Sequence, residues 1–119
     1  MTTSTLNRYL VLYMIPAAVM EQWAATDPAE RKSAEEKLFA EWSTWKQTHS
    51  AMIKNTDAAG KTELVTAAGI SATKNEIVMC ATIEAESHEA ATALFENHPH
   101  LQIPQASIQI MALRSIDTM

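Results

Sequence analysis

Residues 9–14 have the sequence "YLVLYM", in which every side chain is apolar. Successive side chains of a strand point to opposite faces of its sheet, so this segment predicts a strand that is covered on both faces. Residues 76–85, "EIVMCATIEA", also carry apolar side chains at both odd and even positions. We therefore expect two central strands that lie in the same sheet.

Two helices are predicted between these strands. Pro16 suits the first turn of a short helix, and the trio of Asp27, Pro28 and Glu30 predicts the start of a longer one. The longer helix should fade near Asn55. Its apolar stripe has helical spacing and consists of Leu38, Phe39, Trp42, Trp45, His49, Met52 and Ile53.

The remaining segments predict two edge strands and a last helix. After a loop around Gly60, residues 61–67, "KTELVTA", form a strand of mixed polarity, and residues 106–116, "ASIQIMALRSI", alternate in the manner of a final strand. Ser87 favours a helix start. Pro99 disfavours helical geometry at His98, so this helix should end there.

The predicted order of elements is strand, helices, strand, strand, helix, strand. This order indicates the split βαβ arrangement of a ferredoxin-like α+β fold with an antiparallel sheet, in one domain over residues 1–119. The first and third strands then lie in the middle, as their apolar sequences require. The helices cover one face of the sheet, and a second copy packed sheet against sheet would cover the other. We therefore expect a homodimer.

Composition narrows the possible partners and compartment. Apolar residues make up 47% of the chain and charged ones 19%, which is close to ordinary globular usage. The net charge is -5 and the basic residues are scattered, so we expect no nucleic acid partner. The single cysteine, Cys80, excludes an internal disulfide and suits a reducing cytoplasm. Residues 1–20 superficially resemble a secretory signal, but Pro16 interrupts the apolar run. No segment approaches the ~20 apolar residues that span a bilayer, so no membrane is expected.

Three segments carry a resemblance to a known family: residues 8–14, "RYLVLYM", residues 60–70, "GKTELVTAAGI", and residues 85–113, "AESHEAATALFENHPHLQIPQASIQIMAL". Together with the Trp-containing helix, they make the chain similar to YCII-related proteins, particularly the DGPF-type branch, over nearly its whole length. The resemblance implies a dimeric α+β barrel, related in shape to muconolactone isomerase-like proteins, with a pocket near the end of the last helix.

The resemblance also bears on the catalytic candidates. In several members, a His of the long helix and an Asp before the Pro of the terminal turn look like an acid-base pair. Here His98 occupies the Asp position, Trp42 the most plausible His position, and His49 lies two turns later on the same stripe.

His98 and His49 are the catalytic candidates of the sequence. A neutral imidazole at a helix end can accept a proton near neutral pH. The alternative for His98 is a hydrogen bond to a nearby carbonyl that shapes the turn. The alternative for His49 is a satisfied core or interface histidine.

The ligand-binding candidates are Trp42 and Trp45, which with Trp23 could line a pocket for a flat molecule or could simply be core. Tyr9 and Tyr13 share one face of the first strand, and their hydroxyls could orient a ligand or bridge the dimer. His98 and His100 have an H-x-H spacing, but two ligands do not make a metal site, and we predict no metal. No glycine-rich phosphate loop is present, and no cofactor is expected.

Two functions are compatible with these residues. The first is an acid-base enzyme of isomerase or lyase type that acts on a small organic molecule, with His98 as the acid or base; the resemblance alone suggests a lactone or a product of aromatic degradation as the substrate. The second is a non-catalytic dimer that binds a small ligand or a partner protein.

Overall fold

A computed structural model describes residues 6–116 of the 119 over which the domain was predicted. It is an α+β structure with antiparallel sheets. The strands are β1 (Asn7–Met14), β2 (Ile53–Ala58), β3 (Thr62–Thr66), β4 (Gly69–Thr73), β5 (Ile77–Ala85) and β6 (Ser107–Ala112). The helices are α1 (Ala17–Ala24), α2 (Pro28–Thr48) and α3 (His88–Ala93), followed by a 3₁₀ helix (Pro99–Gln102).

The main sheet has the strand order β2-β5-β1-β6. The two strands that are apolar on both faces, β1 and β5, lie in its centre and pair antiparallel, with Val11 opposite Ala81. On its other side β1 pairs with β6. This order and these directions are compatible with the ferredoxin-like fold that the sequence predicts, and they confirm the central pair.

The second edge strand differs from the prediction. Residues 53–58, expected as the end of α2 and a loop, form β2, and α2 ends at Thr48. The reason is that the outer backbone groups of β5 need hydrogen-bond partners, which β2 supplies through pairs such as Thr56 with Ala81. The strand predicted over residues 61–67 lies instead in a separate two-stranded hairpin with β4.

One face of the main sheet carries the core. Alternate residues of the two central strands and the helix residues above them form one buried cluster: Tyr9, Val11, Tyr13, Ala81, Ile83, Ala85, Ala91 and Phe95. The opposite face is open in the described part of the chain, since its residues are at most half-buried. We call this surface the open sheet face; it includes Leu10, Leu12, Met14, Cys80, Thr82, Gln109 and Met111.

The helix starts follow local sequence, whereas the helix ends do not. Asp27 caps α2, because its Oδ2 accepts from the backbone N–H groups of Ala29 and Glu30. Ser87 caps α3 through Ala90, but α3 ends at Ala93 instead of His98. Phe39, expected in the apolar stripe of α2, is 75% exposed. None of the helices within residues 6–116 is long and apolar enough to cross a membrane.

Candidate functional site

The turn after α3 sets the position of the two histidines beside Pro99. Asn97 has a φ of 60°, the left-handed conformation that asparagine tolerates better than most residues, and it reverses the chain. His98 precedes proline and takes an extended ψ of 140°. Pro99 then begins the 3₁₀ helix. These backbone choices turn both imidazoles inward, and His98 and His100 are each 1% exposed.

His98 lies among aromatic rings. Its ring centroid is 4.5 Å from that of Trp42 and 4.3 Å from that of Trp45, both in edge-to-face geometry. Tyr13 and Phe95 complete the surroundings at 5.4 and 5.8 Å. We call this group, together with His100, the aromatic-histidine cluster: Tyr13, Trp42, Trp45, Phe95, His98 and His100.

The hydrogen bonds of His98 fix its tautomer. Its Nδ1 accepts from the backbone N–H of His100 at 3.0 Å, so Nδ1 carries no proton and the neutral ring is protonated at Nε2. Nε2 is a buried side-chain atom without a hydrogen-bond partner among the described residues. A buried donor without a partner lowers the free energy of unfolding by about 1–3 kcal/mol. The faces of the neighbouring indole rings can accept weakly from such a donor and offset part of this loss.

The same surroundings keep His98 neutral. Burial is the main cause, followed by the nearby imidazoles of His100 and His49, and together they lower the pKa of His98 to about 4. Protonation would also require a hydrogen on Nδ1, which faces the N–H of His100. At neutral pH His98 is therefore an uncharged cap of the 3₁₀ helix.

His100 ties the turn to the central strand. Its Nε2 donates to the carbonyl oxygen of Met14 at 3.0 Å, because a carbonyl can only accept. Burial lowers the pKa of His100, while hydrogen bonds to the backbones of Met14 and Ser107 act against that change. The ring also meets Tyr13 edge-to-face at 5.2 Å. His100, which was not among the catalytic candidates of the sequence, thus holds the turn against β1.

The structure brings most of the predicted site residues together. Tyr13, Trp42, Trp45 and His98 belong to the cluster, and the His49 ring lies tilted against that of Trp45 with ring centroids 4.9 Å apart. Tyr9 does not join them. It lies at the other end of β1 and packs against His88 instead. The Tyr13 hydroxyl stays protonated, because burial raises the pKa of Tyr13 above its usual range.

A cavity lies on the other side of the same turn. It is open to solvent on one side, has a volume of about 550 Å³ and is bordered by α1, the first half of α2 and the end of the 3₁₀ helix with the residues that follow it. Most of its lining is apolar: Ile15, Val19, Met20, Trp23, Ala34, Leu38, Ile103 and Pro104. We call it the helix cavity. The predicted site residues Tyr9, Tyr13, Trp42, Trp45, His49 and His98 do not line it.

A few polar groups border the helix cavity. Glu35 accepts a hydrogen bond from the Trp23 indole at 3.2 Å, which fixes that ring in the wall. Gln102 donates to Glu41 at 2.7 Å and joins the turn to α2. Lys37 adds a cation at the rim. An apolar wall with a few polar groups is typical of sites for small organic molecules.

Sequence reasoning missed most of this cavity. It considered Trp23 as a pocket residue, but together with Trp42 and Trp45, which do not line the cavity. It placed Leu38 in the stripe of α2, and no pattern indicated a gap beside that residue. The one usable signal was the shortness of α1, at 8 residues. A short helix beside one of 21 residues leaves part of the longer helix uncovered.

Comparison with known proteins gives little beyond this geometry. No protein-family model and no curated protein matches the chain. Among solved structures it is similar to 5-chloro-2-hydroxyhydroquinone dehydrochlorinase from Burkholderia phenoliruptrix AC1100, in complex with 2,5-dihydroxybenzoquinone, at 14% identity and a TM-score of 0.44. The match covers 86% of this chain and 90% of that chain. Values this low establish neither a shared fold nor a shared reaction, and membership in the YCII-related family stays a prediction.

Proposed function

We propose that this protein is a homodimer that binds a small, largely apolar organic molecule in the helix cavity. The observation that carries the proposal is the cavity itself, which has about 550 Å³ of space behind an apolar wall. Small-molecule sites commonly have volumes of roughly 300–1,000 Å³ and a similar mixture of apolar walls and a few polar groups.

The lining indicates the class of ligand. A flat ring could pack against Trp23, whose own orientation is fixed by Glu35, and against Leu38 across the cavity. Lys37 and Gln102 offer donors for one or two oxygen atoms at the rim. A hydroxylated aromatic compound or a similar ring with one polar edge therefore fits the cavity better than a sugar or a nucleotide.

Calorimetric titration with 2-naphthol tests the proposal. We expect saturable binding to the wild type and at least a tenfold weaker Kd for Ala34→Trp, because the indole would occupy the cavity that Ala34 lines. The matched control is Ala40→Trp, on the same helix at an exposed position away from the cavity. Equal binding by both variants, or none by the wild type at millimolar probe, would overturn the proposal.

The homodimer in this proposal is supported by the open sheet face. Its centre is apolar through Leu10, Leu12 and Met14, and Met111 on β6 is 45% exposed. A two-fold dimer places the same patch of two copies together, so a second copy offers a face of matching shape and polarity. Leu12→Glu should convert a dimer into a monomer in sedimentation velocity, and a wild type that sediments as a monomer at micromolar concentration would contradict the dimer.

Isomerase or lyase chemistry by His98 is the second candidate, and one observation favours it. Nε2 of His98 is a buried donor without a partner in residues 6–116, and such atoms are often found where a substrate or a water completes the hydrogen bond. Against it, His98 is 1% exposed and does not line the helix cavity.

A substrate screen with small lactones and hydroxylated aromatics separates the two candidates. An enzyme should lose its activity in His98→Ala and keep it in His88→Ala, whose histidine lies on the surface. If His98 is the base, the rate should also rise with pH through an apparent pKa of about 4. Activity that survives in His98→Ala would exclude this histidine as the acid or base.

A further inference from the structure

The hairpin of β3 and β4 is the least covered part of the described chain. We call residues 62–73 the hairpin arm. All its residues from Glu63 to Ala72 are exposed, and the directly paired Val65 and Ile70 are each 71% exposed. By contrast, the side chains of β1 that face the helices are almost completely buried.

The two faces of the hairpin arm differ in polarity. Val65, Ile70 and Ala72 share one face with Glu63, because paired residues and residues two apart point the same way. The opposite face carries Leu64 among hydroxyl side chains: Thr62, Thr66, Ser71 and Thr73. An apolar face opposed to a polar one is the pattern of a strand pair that is buried on one side.

The described part of the chain provides no cover for the apolar face. An isolated two-stranded hairpin is marginally stable in water, so a hairpin of this kind normally packs on a further layer. The radius of gyration is 17.0 Å, whereas a compact chain of this length is expected at roughly 13.5 Å. The described chain is therefore more extended than a compact single domain, as expected of a protomer whose arm packs on another molecule.

Charge indicates what kind of surface the arm meets. Glu63 is the single charged residue of the arm, and it forms an ion pair with Lys61 at 3.8 Å. A nearly neutral apolar face is typical of the centre of a protein–protein interface, where charged residues are depleted. It does not suit a phosphate backbone or a charged peptide.

The position of the arm favours a second copy as its partner. The arm follows Ala58 of the edge strand β2 and precedes Ile77 of β5, a strand that bears the open sheet face. A copy packed on that face would therefore be within reach of the arm. We propose that the apolar face of the hairpin arm, with Val65 and Ile70 at its centre, packs on the second protomer and extends the homodimer proposed above, on which this inference rests.

Three double variants and one single variant test the arm in the full chain by sedimentation velocity over a range of concentrations. Val65→Glu/Ile70→Glu places two charges on the apolar face and should raise the dimer Kd at least tenfold. Val65→Ser/Ile70→Ser removes the apolar groups without adding charge and should weaken the dimer in the same direction. The matched control Thr66→Glu/Ser71→Glu adds the same charge to the polar face and should change Kd less than twofold. Circular dichroism checks that each variant keeps its fold.

Leu12→Glu on the open sheet face keeps the two proposals separable. If Leu12→Glu dissociates the dimer and both Val65/Ile70 variants leave Kd unchanged, the arm is not part of the interface and the inference fails while the homodimer stands. If the arm variants dissociate a dimer that Leu12→Glu leaves intact, the arm is an interface and the sheet-face contact fails. A monomeric wild type overturns both.

Discussion

The two sides of the turn from His98 to Pro104 differ in how they are filled. On one side the aromatic-histidine cluster packs six rings together, with His98 1% exposed. On the other side the helix cavity leaves about 550 Å³ unfilled. One short segment therefore has two structural roles: its histidines hold the turn against the core, whereas the residues that follow them line the helix cavity.

The largest expected difference in stability is between the alanine substitutions of two tryptophans. Trp42→Ala should lower the free energy of unfolding by about 3 kcal/mol, since its ring contacts Tyr13 at 4.9 Å and His98 at 4.5 Å in the cluster. Trp23→Ala, on the cavity wall, should lower it by about 1 kcal/mol, because the cavity side of its ring has no protein contact to lose. Urea denaturation measures both, and equal losses would mean that the two regions do not differ in packing.

Acid should lower the stability of the fold by protonating the aromatic-histidine cluster. His98 has a pKa of about 4 in the fold and about 6.5 when unfolded, so its contribution is fully present above pH 6.5 and is lost as the pH falls toward 4. The loss is on the order of 3 kcal/mol. His100, whose pKa is also lowered, acts in the same direction.

Urea denaturation between pH 7 and 4 checks this pH dependence. His98→Asn keeps an acceptor for the His100 N–H without titrating, so its stability should fall less steeply than that of the wild type. His88→Asn, at an exposed position, is the matched control and should follow the wild type. Parallel curves for wild type and His98→Asn would show that His98 does not carry the effect.

Substitutions at two alanines should give a smaller difference in the free energy of unfolding. They add atoms, whereas the two tryptophan substitutions remove atoms. Ala91→Leu should lower the free energy of unfolding by about 2 kcal/mol, since Ala91 is 0% exposed in the core and extra methyl groups force its neighbours apart. Ala34→Leu should change it by less than about 0.5 kcal/mol, because the new side chain can enter the helix cavity. A large loss from Ala34→Leu would indicate that the cavity has no room.

The sequence allowed part of this architecture to be predicted. The central strands follow from apolar runs that only a doubly covered strand explains, and the start of α2 follows from the Asp27 cap, because both signals are local. The edge strand β2 could not be predicted in the same way. Its sequence, "IKNTDA", has mixed polarity, and its extended conformation depends on hydrogen bonds to β5, which is distant in sequence.

The two sides of the turn also differed in how far they could be predicted. Helical spacing placed Trp42 and Trp45 on one face of α2, which is why these two residues meet in the cluster. His98 joins them through the turn after α3, which ends at Ala93, and not through the helical geometry that was predicted up to His98. The helix cavity is formed by side chains from three separate segments, among them Val19, Leu38 and Ile103. A space between side chains leaves no periodic signal in any one segment.

The most direct test of ligand binding in the helix cavity is methyl NMR of the methionine side chains during titration with 2-naphthol. Met20 lines the cavity, whereas Met111 lies on the open sheet face, so the two methyl groups report on separate surfaces. Ring currents from a bound naphthol should shift the Met20 signal in a saturable way and leave Met111 unchanged. A shift of Met111 with Met20 unchanged, or no saturable shift of either, would contradict a ligand site between α1, α2 and the turn.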